Sequence, residues 1–256
     1  MTTDVRNAHF PAAPPTTGDA ARGEAPPLDN PAWAALSGAH RHLGEHAGAA
    51  ARYAADVSPF AAVADPADPR SWADLARLVG LGGQAVLTGF TDAALVPDGW
   101  RFVENLPGVQ LVADGLDSAA DPEAVRLTPD DVPEMLDLVR RTQPGPFLPR
   151  TIEMGAYWGL RRGGRLVAMA GERLSLPGHT ELSAVCTDPD HRGEGLAARL
   201  VRHVAQGVRD RGEMPFLHAA ARNEPAIRLY LALGFTLRRR PLFAVVQAPG
   251  GDATAA

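Results

Sequence analysis

Between Thr180 and Ala198 the chain reads Thr-Glu-Leu-Ser-Ala-Val-Cys-Thr-Asp-Pro-Asp-His-Arg-Gly-Glu-Gly-Leu-Ala-Ala, an apolar strand that enters an Asp-Pro turn and leaves through two glycines into a helix. These residue types at this spacing suit the binding of phosphate. Glycine lets the backbone come close to a ligand, and the first turn of a helix presents unpaired N–H groups backed by the macrodipole. Two common phosphate motifs fit less well. The P-loop needs a Gly-Lys pair, and none occurs. Gly193-Glu-Gly195-Leu-Ala-Ala198 matches the dinucleotide pattern G-x-G-x-x-A, but Asp188 to Arg192 separate the strand end from the first glycine. The acid at the right distance, Glu213, also precedes the next strand instead of following it.

In another frame, Arg192-Gly-Glu-Gly195-Leu-Ala197 is R-x-x-G-x-A, and Asn223-Glu-Pro-Ala-Ile-Arg-Leu-Tyr230-Leu-Ala-Leu-Gly234-Phe235 follows in order. The pair resembles the pyrophosphate loop and next helix of the GNAT superfamily of acyl-CoA N-acyltransferases, over about Val125 to Gln247. One departure is Asp190, which takes the leading Gln or Arg position when the motif is aligned on Gly193 and Gly195. The resemblance implies acetyl-CoA as co-substrate. It implies that Val185, Cys186 and Thr187 lie along the pantetheine arm, with one of their N–H groups polarising the acyl carbonyl. Arg192, Gly193, Glu194, Gly195, Leu196, Ala197 and Ala198 would hold the pyrophosphate, and Asn223 would touch the arm or cap its helix. Tyr230 would stand at the leaving thiol.

Acyl transfer from a thioester to an amine makes its own demands. At pH 7 a lysine-like amine loses its proton at a cost of about 4.6 kcal/mol and an α-amine at about 1.1 kcal/mol, so a base is valuable. His218, on one strand face with Phe216 and Ala220, and Glu181, on one face with Ser183 and Val185, are the candidates. Full proton transfer from Tyr230 to the thiolate would be uphill by about 2 kcal/mol, so a hydrogen bond serves as well as protonation. Cys186 faces away from Val185 and reads as core. The function expected is transfer of an acetyl group from acetyl-CoA to a primary amine by direct attack in a ternary complex. The alternative is a catalytically silent GNAT-fold module that binds acyl-CoA as a sensor or partner-binding domain.

The elements that must position these residues follow from periodicity. Thr128-Pro129-Asp-Asp131 starts a helix carrying Val132, Met135, Leu136 and Val139 inward. Gly163-Gly164 turns a hairpin, and Leu196, Leu200, Val204 and Val208 form the stripe of a long helix closed by Gly212. Alternating β and α units predict an α/β fold, a mixed sheet flanked by helices over 123–247 and preceded by a smaller α/β segment over 28–115; the GNAT resemblance implies for that segment a degenerate half of the same fold, as in the glycine N-acyltransferase-like members. In that segment Pro31 to Tyr53 reads as one or two helices, and another helix is capped at Ser71. The tails 1–27 and 248–256 read as disordered, and Asp114 to Pro122 as a linker.

The 256 residues carry a net charge of −5, which offers nucleic acid no general attraction, and the arginines at 161–162 and 238–240 read as solvated faces. A single cysteine forms no internal disulfide, and neither a signal peptide nor a membrane span is apparent, so a cytoplasmic location is expected. His42 and His46 have metal-pair spacing on a helix but lack further ligands, so no metal is expected. The first segment could close over the acceptor or form a homodimer face.

Overall fold

A computed structural model describes residues 26–90 and 92–250. The expected tails therefore lie almost wholly outside the described residues. Pro31 takes the first position of a short helix, α1 (Pro31–Ser37). The helical pattern predicted onward to Tyr53 is overturned. The chain turns at Arg41–Leu43 and forms a hairpin of β1 (Gly44–Ala47) and β2 (Ala50–Tyr53) around Gly48, whose φ is +52°. Alanine-rich sequence favours helix only weakly, and here Ala50 and Ala51 are fully buried as small residues in a close-packed strand, so packing decides. The hairpin also places His46 on β1, which removes the helical spacing that paired it with His42.

After β3 (Phe60–Val63) comes α2 (Pro69–Val79), capped by Asp68, whose side chain accepts from the Arg70 amide, and not by Ser71, which is buried inside the helix. Then follow β4 (Gln84–Phe90) and the long β5 (Arg101–Val112). Past the predicted linker, β6 (Val125–Arg126) leads to α3 (Val132–Thr142), entered through a capping box between Thr128 and Asp131. The remaining elements alternate as the sequence pattern predicts. They are the hairpin of β7 (Tyr157–Arg162) and β8 (Arg165–Leu176), then β9 (His179–Thr187), α4 (Leu196–Asp210), β10 (Met214–Ala220), α5 (Glu224–Ala232), β11 (Thr236–Arg239) and β12 (Leu242–Gln247).

All twelve strands join one mixed sheet in the order β1-β2-β3-β4-β12-β5-β10-β9-β8-β7-β6, with β11 also paired to β5. The two ends of this sheet repeat one scheme. On one side β2 and β3 are antiparallel, β3 and β4 are parallel across α2, and β4 meets β12 antiparallel. On the other, β8 and β9 are antiparallel, β9 and β10 are parallel across α4, and β10 meets β5 antiparallel. Each parallel pair is thus flanked by a strand from the opposite part of the chain. β5 serves both, facing β12 along Arg101–Pro107 and β10 along Gly108–Val112.

Both parallel pairs also splay. β9 and β10 are in register only through Leu182 and Leu217, and β3 and β4 only at Phe60 with Val86 and Ala61 with Leu87. Near the first gap Asn30 donates its side-chain N–H to the Val63 carbonyl at 2.7 Å. A Cβ at Gly89 would fall 2.6 Å from the Asp29 carbonyl, so this chain's own 29–30 segment packs against that splay. The second gap holds the candidate site. On its α4 side Leu200, Val204 and Val208 pack on Leu182, Leu217 and Leu111, and on the other face Met135 and Leu138 of α3 pack on Met169 and Tyr157.

Candidate active site

A cleft of about 560 Å³ opens where β9 and β10 part, walled by the end of β9, the loop into α4 and the inner face of α5. Val185, Cys186, Thr187, Arg192, Gly193, Asn223, Tyr230 and all of Gly195 to Ala198 line it. Of the cofactor-contact residues read from the sequence, only Glu194 does not, and its carboxylate instead meets His191 Nδ1 at 3.0 Å. A bulge shapes the wall: Ala184 has φ +53°, and the β8/β9 register shifts around it.

The loop is built for an anion. Gly193 and Gly195 have φ of +85° and +74°, in the left-handed region that favours glycine, and a Cβ on either would meet no protein atom within 4 Å. Gly195 is the N-cap of α4 and brings no side-chain cap. The amides of Gly193 to Ala198 consequently have no acceptor among the described residues and sit at the positive end of a helix of 15 residues. Thr187 adds a buried hydroxyl with no partner among the described residues. Asp188 fixes the loop's far side, accepting from the Asp190 amide at 3.1 Å and pairing with Arg141 of α3 and with Arg165 at 3.2 Å.

Tyr230 is nearly buried yet reaches the cleft, and its hydroxyl has no protein partner among the described residues. Burial, with Cys186 beside it, pushes its pKa up to about 12. Cys186 is also buried, and its thiol is pushed by burial up to about 11, so it is a core group and a poor nucleophile. Asn223 caps α5 by accepting from the Ala226 amide at 3.3 Å while facing the cleft.

The two candidate bases lie elsewhere. Leu182 and Leu217 face α4, so strand alternation turns Glu181 and His218 to the opposite face, under α1 and β2. There they bind each other, with His218 Nδ1 donating to Glu181 Oε1 at 2.7 Å. Arg173 grips the same carboxylate with two N–H donors at 2.8 and 2.7 Å and stacks 5.0 Å over Phe60. The other nitrogen of His218 meets the Gln110 amide at 3.1 Å. Gln110 in turn accepts from Arg238, which pairs with Asp29. Burial alone would raise the Glu181 carboxyl, but Arg173 and His218 outweigh it and hold it well below the usual carboxylate range. Neither residue lines the cleft.

Sequence reasoning missed the cleft wall formed by Thr142, Gln143 and Pro144 at the end of α3. Gln143-Pro144-Gly145-Pro146 is a helix-ending run, but nothing in it tells which groove that end borders. The arginine clusters are also corrected. Arg161 binds Asp131 and Glu134, Arg162 binds Glu123, and Arg238 and Arg239 both bind Asp29, so these residues tie elements together and are not free solvated charges.

The family model described as FR47-like protein matches residues 157–244. The chain is 41% identical to an acetyltransferase of the GNAT family from Novosphingobium aromaticivorans, over 89% of this chain and 100% of that one, with a TM-score of 0.78. A GCN5-related N-acetyltransferase from Kribbella flavida shares the fold, with a TM-score of 0.55 at 21% identity over 86% of this chain and 95% of that one. No curated protein matches the chain.

Proposed function

Because the chain belongs to the GNAT family, we propose that it transfers an acetyl group from acetyl-CoA to a primary amine by direct attack in a ternary complex. The observation that carries this is the run of six amides, Gly193 to Ala198, that have no acceptor among the described residues, at the mouth of a cleft that ends at a tyrosine hydroxyl likewise without a partner among them. The amides and the α4 terminus would hold the pyrophosphate, and the edge of β9 beyond Leu182, which β10 does not pair, would take the pantetheine arm. Tyr230 would hydrogen-bond the leaving sulfur. At a pKa of about 12 its proton would pass to a thiolate of pKa about 8.5 only at a cost of roughly 5 kcal/mol, so stabilisation by hydrogen bond is favoured over protonation. Direct attack is supported by the poor reactivity of Cys186, the one thiol in the cleft.

Glu181 is too weak a base to deprotonate an amine while Arg173 and His218 hold it, so the amine loses its proton to solvent before attack. In this scheme Glu181 and His218 brace β9 against β10 just below the point where they part. That same closed network favours one other reading, a silent module that binds acyl-CoA without turnover.

A thermal shift with acetyl-CoA and CoA, run beside thiol release across a panel of amines, tests the proposal, with Gly195→Glu as control. A CoA shift lost in the control together with thiol release supports transfer. A CoA shift with no release from any amine supports the silent module, and no CoA shift at all removes both.

A further inference from the structure

The splay of β3 and β4 borders a cavity of about 820 Å³, beside the 29–30 segment. It is no part of the cleft at β9 and β10. β4 is antiparallel to β12, β12 to β5 and β5 to β10, so β4 and β10 run in opposite directions and the two splays open at opposite ends of the sheet. A cavity of this size with a largely apolar wall and a few polar groups suits a small molecule. Trp33 and Ala34 of α1 and Leu87 and Phe90 of β4 supply the apolar wall.

The polar groups indicate the ligand's chemistry. Thr88 lines the cavity, is 5% exposed, and its hydroxyl has no hydrogen-bond partner among the described residues. Val86 packs in the cluster under α1 and Leu87 in the cluster under α2, so strand alternation turns Thr88 toward α1 and the cavity. A buried hydroxyl left unpaired is costly, and a polar group on a ligand offsets that cost.

The loop from β3 into α2 excludes phosphate. It holds Asp65 and Asp68 where the loop from β9 into α4 holds Gly193 and Gly195. Asp65 Oδ1 accepts from the Ala67 amide at 2.8 Å and Asp68 Oδ1 from the Arg70 amide at 3.0 Å, so carboxylates already occupy amides that would otherwise meet an anion. Asp65 also lines the cavity, is exposed, and has no cationic partner among the described residues. Arg239, the cation in the wall, is already bound to Asp29 at 3.0 Å. The wall therefore offers a ligand the Asp65 carboxylate, and the aromatic ring of Trp33 favours a cation as well.

We propose that this cavity binds a small primary amine with an apolar body and a hydroxyl group. The ammonium pairs with Asp65, the body packs on Trp33, Leu87 and Phe90, and the hydroxyl meets Thr88. The site is separate from the acetyl-CoA cleft and stands whether or not transfer occurs there.

Tyramine is the probe, set against phenethylamine, which lacks its hydroxyl, and hydroxyphenylpropionate, which puts a carboxylate in place of the ammonium. Titrated calorimetrically into the full chain without acetyl-CoA, tyramine should bind with a Kd below about 1 mM, phenethylamine about threefold more weakly, and hydroxyphenylpropionate not measurably. Thr88→Val keeps the side-chain shape and should bring tyramine down to the affinity of phenethylamine, with a melting temperature equal to or above that of the wild type. Asp65→Asn keeps an acceptor for the Ala67 amide and should weaken both amines about threefold to fivefold, with acetyl-CoA binding unchanged. A wild type that fails to bind tyramine, or that prefers hydroxyphenylpropionate, overturns the assignment. Tyramine binding that neither substitution weakens also overturns it, because the amine would then sit elsewhere on the protein.

Discussion

Tyr230 and the Glu181 network divide the chemistry of the site between a group that faces the cleft and groups that do not. A hydrogen bond from a neutral hydroxyl to a developing thiolate contributes on the order of 1.5–3 kcal/mol, so Tyr230→Phe should lower kcat by roughly 10- to 100-fold and leave the acetyl-CoA KM nearly unchanged. If KM rises and kcat stays, Tyr230 acts in binding instead. With no base in the cleft free of partners, kcat/KM for the amine should climb tenfold per pH unit up to the amine's own pKa, and its limb should move when the amine is changed. A limb that stays in one place for every amine would mean that a group of the protein acts as the base. Breaking the buried pair from one side is costly, and Arg173→Met should destabilise the fold by about 3–5 kcal/mol by stranding Glu181, seen as a lower midpoint in urea.

Elements succeed or fail as units here, and α4 and the α1 region show both cases. Gly195→Ala should cost about 1–2 kcal/mol through its left-handed φ. It meets no neighbour, so the added methyl would stand in the open space above the loop and weaken CoA binding as well. The stripe of α4, its opening glycines and the Gly212 stop are all local signals, and the helix runs Leu196–Asp210 as they indicate. The run from His40 to Tyr53 has no comparable local signal. Its alanines suit a helix, and only the partner strand β3 and the helices above it make strands of them. His40 belongs to that tertiary setting, buried with Nδ1 3.0 Å from the Tyr53 hydroxyl. Burial, aided by His42, lowers its pKa to about 4 from 6.5. A base whose folded pKa is depressed contributes stability that is present above pH 6.5 and lost as pH falls toward 4, about 3 kcal/mol in all. Comparing urea midpoints at pH 7 and pH 4.5, His40→Gln should show a smaller acid loss than the wild type, whatever its absolute stability. An equal loss in both would place the acid sensitivity elsewhere.

At the scale of the whole molecule the sequence separates two segments at a linker, and the sheet sews them together. β4, β5 and β12 are apolar runs bounded by turns, which are local signals. Their neighbours are not, since pairing partners more than a hundred residues apart leave no mark on period or composition. β12 sits between β4 and β5 through registers such as Val245 with Val86 and Phe243 with Leu106, and β5 sits between β12 and β10. The site depends on this exchange, for Gln110 of β5 engages His218, and Val109 and Leu111 pack in the same core as α4 and Tyr230. A fragment 116–256 therefore lacks the strand on which β10 pairs, and a fragment 1–115 lacks the strand between β4 and β5. Expressed alone, the second fragment should show no cooperative unfolding transition and no CoA thermal shift, although it contains every residue that lines the cleft. Mixed with the first fragment, or co-expressed with it, it should recover both. A second fragment that folds and binds CoA alone would mean that β10 tolerates an open edge and that the first segment is an accessory to the site and not a part of it.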